Sequence, residues 1–186
     1  EAQLQFILSA RKIKGKKLSA EAKERAEKAR QALELVLGQH PFFQGVNSRH
    51  LKTISRYANR VTFEPGDFLF HEGEAAIQFH LICSGRISVG TFSEIPGPIT
   101  IQTLGNGEVL GWSRIIPPHH WRFDAKATEP TEAISLNGEL LRAQCEKNRD
   151  FGYEILKRLS YITAQRLELT RLHLVSAYGA APTGRG

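Results

Sequence analysis

The chain has no methionine, and among its 186 residues only two cysteines and two tryptophans. Each shortage excludes something. With no methionine to open it, the first residue, Glu1, is not expected to be the translated start. Cys83 and Cys145 stand in no metal-ligand or redox spacing, so a disulfide framework and a thiolate metal site are both disfavoured. Two reduced thiols acting as small buried hydrophobes in a cytoplasmic setting are the expectation. No stretch approaches the roughly 18–20 apolar residues that span a bilayer, so no membrane association is expected. The start, EAQLQFILSARKIKGKK, places its apolar part before its basic part, the reverse of a secretory leader. Catalytic signatures are missing as well. There is no Gly-x-Ser-x-Gly elbow, no phosphate loop and no close carboxylate pair in a plausible cleft. Ser113 follows Trp112 without a partner base in sequence. The chain reads as a non-enzyme that calls for no cofactor and no metal.

Net charge is scarce too, once it is located. The formal net charge is +6, which invites a nucleic-acid reading. Arg11, Lys12, Lys14, Lys16 and Lys17 supply five of those charges within seven residues, leaving a nearly neutral body. The basic run is read as a solvated arm or a docking strand, and nucleic-acid binding as the lesser alternative. Just before it, Leu4, Phe6, Ile7 and Leu8 form an apolar patch too short for a core of its own. Phe6, Ile7 and the five basic residues are the candidate partner-docking arm.

What is present is enough for one ordinary domain with an appendage: 41% of the residues are apolar. Residues 1–18 are the arm. Residues 19–38 predict an extra helix, with Ser19 as N-cap, Glu21 in the first turn and Gly38 as its end. Ala22, Ala26, Ala29, Leu33 and Val36 form a narrow apolar stripe on it at helical spacing. A second helix follows a cap at Asn47 or Ser48, with Leu51, Ile54 and Tyr57 on its apolar face. From about 60 to 136 the texture is short alternating runs between Gly and Pro, the pattern of a compact antiparallel barrel or roll. Asn137 can cap a short helix, GELLRAQCEKN. Asp150 can cap a long one running to about Tyr178. Ile155, Leu159, Ile162, Leu169, Leu172 and Val175 recur along that helix at threes, fours and sevens, a stripe wide enough to serve both the roll and a second helix. The domain proper is 39–178, and 179–186 is a tail.

The corners carry a resemblance. Pro65-Gly66-Asp67, Glu72-Gly73-Glu74, the strand residues Phe79, Leu81 and Ile82, then Gly85, Gly105-Asn106-Gly107-Glu108 and Gly111 resemble the cyclic-nucleotide-binding domain family, which includes the bacterial catabolite activator. The resemblance runs from about His40 to Tyr178. It implies an α+β fold: an antiparallel, jelly-roll-like β-roll flanked by N-terminal helices and a long C-terminal dimerisation helix. Ile155, Leu159, Ile162, Leu169 and Leu172 become its candidate dimer residues.

The resemblance also implies a pocket, the phosphate cassette. In the family a glycine and a glutamate that holds the ribose open it, and an arginine that pairs with the cyclic phosphate closes it. Here the cassette reads GEVLGWSRIIPPHHWRFDAKA. Gly111 keeps the glycine position, but Trp112 stands where the glutamate belongs and Trp121 where the arginine belongs. Arg122 is one residue off, and a one-residue slip in a strand turns a side chain to the other face. A phosphate beside an indole loses charge-assisted bonds, at a cost of order 2–5 kcal/mol. Three readings stay open. Trp112 and Trp121 fill the old pocket as core, or they make a site for another planar ligand with Arg114, His119, His120 or Arg122 as polar contacts, or an altered cyclic-nucleotide site persists. The candidate pocket set is Gly111, Trp112, Ser113, Arg114, His119, Trp121 and Arg122. His119 and His120 are adjacent, so in a strand they point apart, which disfavours a metal pair.

The family's transcription factors carry a helix-turn-helix domain after the dimer helix, whereas eight residues follow Tyr178 here. The expectation is a stand-alone, homodimeric, non-catalytic accessory subunit of a larger cytoplasmic enzyme complex. The Gly-Trp-Ser and Pro-Pro-x-x-Trp features are similar to a subgroup of stand-alone bacterial proteins, some of which accompany soluble nickel–iron hydrogenases that react with nicotinamide nucleotides. The rival expectations are a soluble sensor of a cyclic nucleotide or other small ligand, and nucleic-acid binding through the arm.

Overall fold

The computed structural model describes residues 20–92, 97–112, 115 and 119–179. The basic arm, the Ser19 cap and residues 180–186 of the predicted tail therefore lie outside the described residues, as do Ser113, Arg114, Pro117 and Pro118 of the cassette.

Helix α1 (Ala20–Gln39) packs only through its C-terminal half. Leu33 and Val36 rest against the core and Leu37 is fully buried, while Ala26 and Ala29 of the predicted stripe are exposed. The helix does not end at Gly38. That glycine lies inside it, where a Cβ would come within 3.2 Å of the Leu51 side chain. The stop comes at His40-Pro41. Proline cannot donate to a further helical turn. His40 Nδ1 accepts from the Phe42 N–H at 3.2 Å, so its Nε2–H is left to donate to the Ile82 carbonyl at 3.2 Å. This buried imidazole ties the helical layer to the β-roll.

A 3-10 turn (Pro41–Phe43) then drops Phe42 and Phe43 into the core. Helix α2 (Ser48–Ile54) is capped by Asn47, whose side-chain oxygen accepts from the Arg49 N–H at 2.9 Å. Leu51 and Ile54 are buried beneath it, and Tyr57 packs at the edge.

Eight strands follow: β1 (Ala58–Phe63), β2 (Phe68–Phe70), β3 (Gln78–Ser84), β4 (Ile87–Thr91), β5 (Ile99–Leu104), β6 (Val109–Leu110), β7 (Asp124–Ala127) and β8 (Thr131–Asn137). They form two four-stranded sheets in the orders β1-β8-β3-β6 and β2-β7-β4-β5. Every ladder is antiparallel. This is the β-roll of the cyclic-nucleotide-binding fold. The corner at Gly85 shows why glycine is needed there. Its φ is +90°, and a Cβ would sit 2.4 Å from the Pro130 carbonyl oxygen.

The core has two halves, and β3 serves both. Phe79 and Leu81 point into the half shared with the helices, with Phe43, Ile54, Leu136, Phe151 and Ile155. Ile82 belongs to the other half, inside the roll, with Phe70, Ile87, Leu104 and Ala125. His80, two residues from Ile82, shares its side of the strand by alternation.

Helix α3 (Gly138–Lys147) is capped by Asn137, which accepts from the Leu140 N–H at 3.0 Å. Helix α4 (Arg149–Gly179) runs for 31 residues. Its cap is Asn148, which accepts from the Phe151 N–H at 2.9 Å, whereas Asp150 lies in the first turn beside the helix dipole.

Candidate functional site

The cassette leaves β6 at Gly111 and returns to the sheet at β7. Gly111 has φ +101°, and a Cβ there would lie 2.5 Å from the Gln78 carbonyl oxygen and 3.1 Å from the ring of Trp121. The far end of the cassette is zipped to the turn before β3. Ala76 N–H donates to His119 O, Trp121 N–H to Glu74 O, and Gly73 N–H to Trp121 O, each at 2.9 Å. That clamp decides which way the next side chains point.

Trp121 points inward. It is 5% exposed and lies flat on Phe70, ring centroids 3.7 Å apart and planes 8° from parallel. The buried residues packed with it are Leu69, Phe70, Ala76, Ile82, Ile87, Leu104, Leu110, Ala125 and Ala127, none of them charged. Arg122, the next residue, is exposed. An anion placed among these apolar side chains would face a large desolvation cost.

The two indoles do not share a site. Trp112 packs, partly buried, against the helical half of the core together with Ile115, while Trp121 belongs to the roll half. A planar ligand lying against Trp121 would have to part it from Phe70. His119 is half-buried and has φ +65°, the one non-glycine residue with a positive φ among those described. Its Nε2 lies 3.3 Å from Arg142 Nη1 of α3, and its Nδ1 is buried without a hydrogen-bond partner. His120 is exposed.

One interior residue went unnoticed in the sequence. His80 is 1% exposed, its Nδ1 has no hydrogen-bond partner, and burial pushes its pKa down to about 4. Phe63 meets its ring edge-on at 6.2 Å. The available signal was a histidine inside the otherwise apolar run of β3, QFHLICS.

The candidate dimer residues separate into two groups. Ile155 and Leu159 are 0% and 2% exposed within their own chain, and Ile162 also packs against the core. Ile155 and Leu159 are thus taken up by the chain's own core, because α4 spends its first half covering the helical side of the roll, whereas Ile162 is only partly buried. Leu169 and Leu172 are about half exposed, at 51% and 54%. A further line, Leu156, Leu167 and Leu174, is exposed along the same helix. Its spacings of eleven and seven place the three residues on one face.

Comparison with known proteins agrees with this geometry. Residues 60–148, just under half of the chain, match the family model described as the cyclic nucleotide-binding domain. A curated relative, the CRP-like cAMP-activated global transcriptional regulator of Mycobacterium tuberculosis, is 22% identical over 153 residues; the match takes in 82% of this chain and 66% of that protein. The chain thus spans slightly less than two thirds of the relative it matches. Among solved structures, a putative cyclic nucleotide-binding protein from Geobacter metallireducens superposes with a TM-score of 0.63 at 24% identity, covering 75% of this chain and 98% of that one. A cyclic nucleotide-binding domain from Methylobacillus flagellatus gives 0.66 at 18% identity, covering 82% and 85%. The regulatory subunit of a cAMP-independent protein kinase A from Trypanosoma brucei gives 0.60 at 22% identity, covering 74% and 49%. The chain thus has the fold of these cyclic-nucleotide-binding-type domains, and two of the proteins it is similar to, the transcriptional regulator and the kinase regulatory subunit, are regulatory. Among the described residues no helix is long and apolar enough to cross a membrane.

Proposed function

We propose that this cyclic-nucleotide-binding-type domain works as a non-catalytic regulatory module whose ligand space is filled by its own Trp121. The observation that carries the reading is the indole itself: 5% exposed, stacked on Phe70, at the place where the resemblance puts the phosphate-binding arginine. A roll closed by its own side chain does not wait for a nucleotide. Its work then moves to its surfaces. The exposed leucines of α4 offer a seam for a second copy, and residues 6–17, with Phe6, Ile7 and the basic run, offer a tether to a larger complex. An NAD-linked hydrogenase as that complex rests on the resemblance of the Gly-Trp-Ser and Pro-Pro-x-x-Trp features alone.

Affinity capture of the full chain from its native host tests this reading. A large enzyme complex recovered in stoichiometric amount, and lost when residues 1–18 are deleted, is the expected result. Recovery of the chain by itself would contradict the accessory role. A second reading, a soluble cyclic-nucleotide sensor, is favoured by the family match and by the cAMP-activated relative. It requires Trp121 to swing out of the roll and Arg122 to turn in. Binding to nucleic acid through the arm would instead give a steep salt dependence that vanishes with the arm.

A further inference from the structure

A concavity lies outside the roll. It lies where α4 crosses the β5–β6 corner and holds about 880 Å³, within the range of small-molecule sites. Phe42 and Val109 form one wall, and Tyr161, Ile162 and Leu169 of α4 form the other. These walls are mostly apolar, with polar groups between them. Arg158 is closed off: it pairs with Glu154 and donates to the Gln44 carbonyl at 2.9 Å. Glu168 faces Arg171 at 3.6 Å. Two cations remain. Lys157 lines the groove and takes part in no ion pair among the described residues.

Arg166 is the other. Its Nη2 donates to the Val109 carbonyl at 2.6 Å, and its Nε is buried without a partner. A guanidinium carries five N–H donors, and the Val109 carbonyl takes one of them. Glu108 is the acid that opposes its charge, and one Glu108 oxygen is already engaged by the Gly105 N–H at 2.8 Å. Glu154 and Glu168 are paired with Arg158 and Arg171, so Lys157 and Arg166 are the lining cations left without an ion pair among the described residues, facing the partly engaged Glu108 carboxylate.

From these two cations we infer that the groove between α4 and the β5–β6 corner binds an amphipathic monoanion, a single carboxylate or comparable acid on an apolar body. The acid group meets Lys157 and the free donors of Arg166. The apolar body lies along Tyr161, Ile162 and Leu169. The inference does not rest on the state of the roll, because Phe42, Val109 and Ile162 pack with the helical half of the core and Trp121 with the other half.

The test uses the full chain and decanoate as probe, followed by backbone amide NMR shifts, with the neutral decanamide in parallel. The expected result is saturable one-to-one binding of decanoate, with shifts concentrated at Gln102, Glu108, Val109 and residues 157–169. Decanamide should bind about ten-fold more weakly, and Lys157→Glu should weaken decanoate by a similar factor. Lys157 is a surface residue, so that variant should fold; Leu169→Asp provides a second one that obstructs the apolar wall. Shifts that follow the Leu156, Leu167 and Leu174 face, equal binding of acid and amide, or no saturable binding would each overturn the inference.

Discussion

Replacing Trp121 by alanine removes the one side chain on which the closed-roll reading depends. The indole is 5% exposed and stacked on Phe70, ring centroids 3.7 Å apart, with its ring edge beside Gly111. Truncation of a buried tryptophan to alanine costs about 3–5 kcal/mol, combining lost transfer energy with the cavity left behind. Loss of the stacked pair is part of that figure. The strand itself should survive, since Trp121 is held to Gly73 and Glu74 by backbone bonds that alanine retains. Against a domain stability of roughly 5–15 kcal/mol, the change is large but survivable. Trp112→Ala is the matched control. That residue is only partly buried, against the other half of the core, and its removal should cost about 1–2 kcal/mol. Urea unfolding followed by circular dichroism gives both values, provided the slope with denaturant is unchanged. Added indole should restore part of the Trp121→Ala loss, about 1.4 kcal/mol at ten times its dissociation constant. A Trp121→Ala loss below about 1 kcal/mol, or one no larger than that of Trp112→Ala, would refute the packing argument.

Other outcomes follow from the same structure. Burial lowers the His80 pKa from 6.5 to about 4, so its neutral form is favoured in the fold. The stability tied to this group is fully present above about pH 6.5 and is lost as the pH falls through about 4, a difference of roughly 3 kcal/mol. His80→Leu should flatten that acid slope in urea titrations between pH 4 and 7; part of the slope should remain, because burial lowers the pKa of His40 as well. Gly111→Ala meets both a positive φ and the Gln78 carbonyl at 2.5 Å, and should cost about 2–4 kcal/mol, whereas Gly45→Ala, at φ +78° in open space, should cost only about 1. Leu167→Asp with Leu174→Asp should convert a dimer to a monomer in sedimentation velocity without altering the circular dichroism. Leu159→Ala should instead destabilise each protomer by about 2–5 kcal/mol.

The roll was legible because its corners need particular residues. Gly85 and Gly111 occupy backbone positions closed to other side chains. The caps at Asn47 and Asn137 were legible for the same local reason. The end of α1 was not. Gly38 reads as a stop by propensity, yet its helical place follows from a close approach to Leu51, a tertiary fact. The partition of α4 was also hidden. A continuous stripe of leucines and isoleucines does not reveal that Ile155 and Leu159 serve the chain's own core while Leu167 and Leu174 remain outside. At the cassette, the inward turn of Trp121 followed from counting positions. The separation of Trp112 from Trp121 did not, because it depends on which face of the sheet the loop crosses.

The closed roll is tested most directly by isothermal titration calorimetry of the unmodified chain with cyclic AMP and cyclic GMP. The structure predicts no saturable heat for either nucleotide at concentrations up to the millimolar range. Stoichiometric binding at micromolar concentration, with a change in tryptophan emission as Trp121 leaves Phe70, would contradict it.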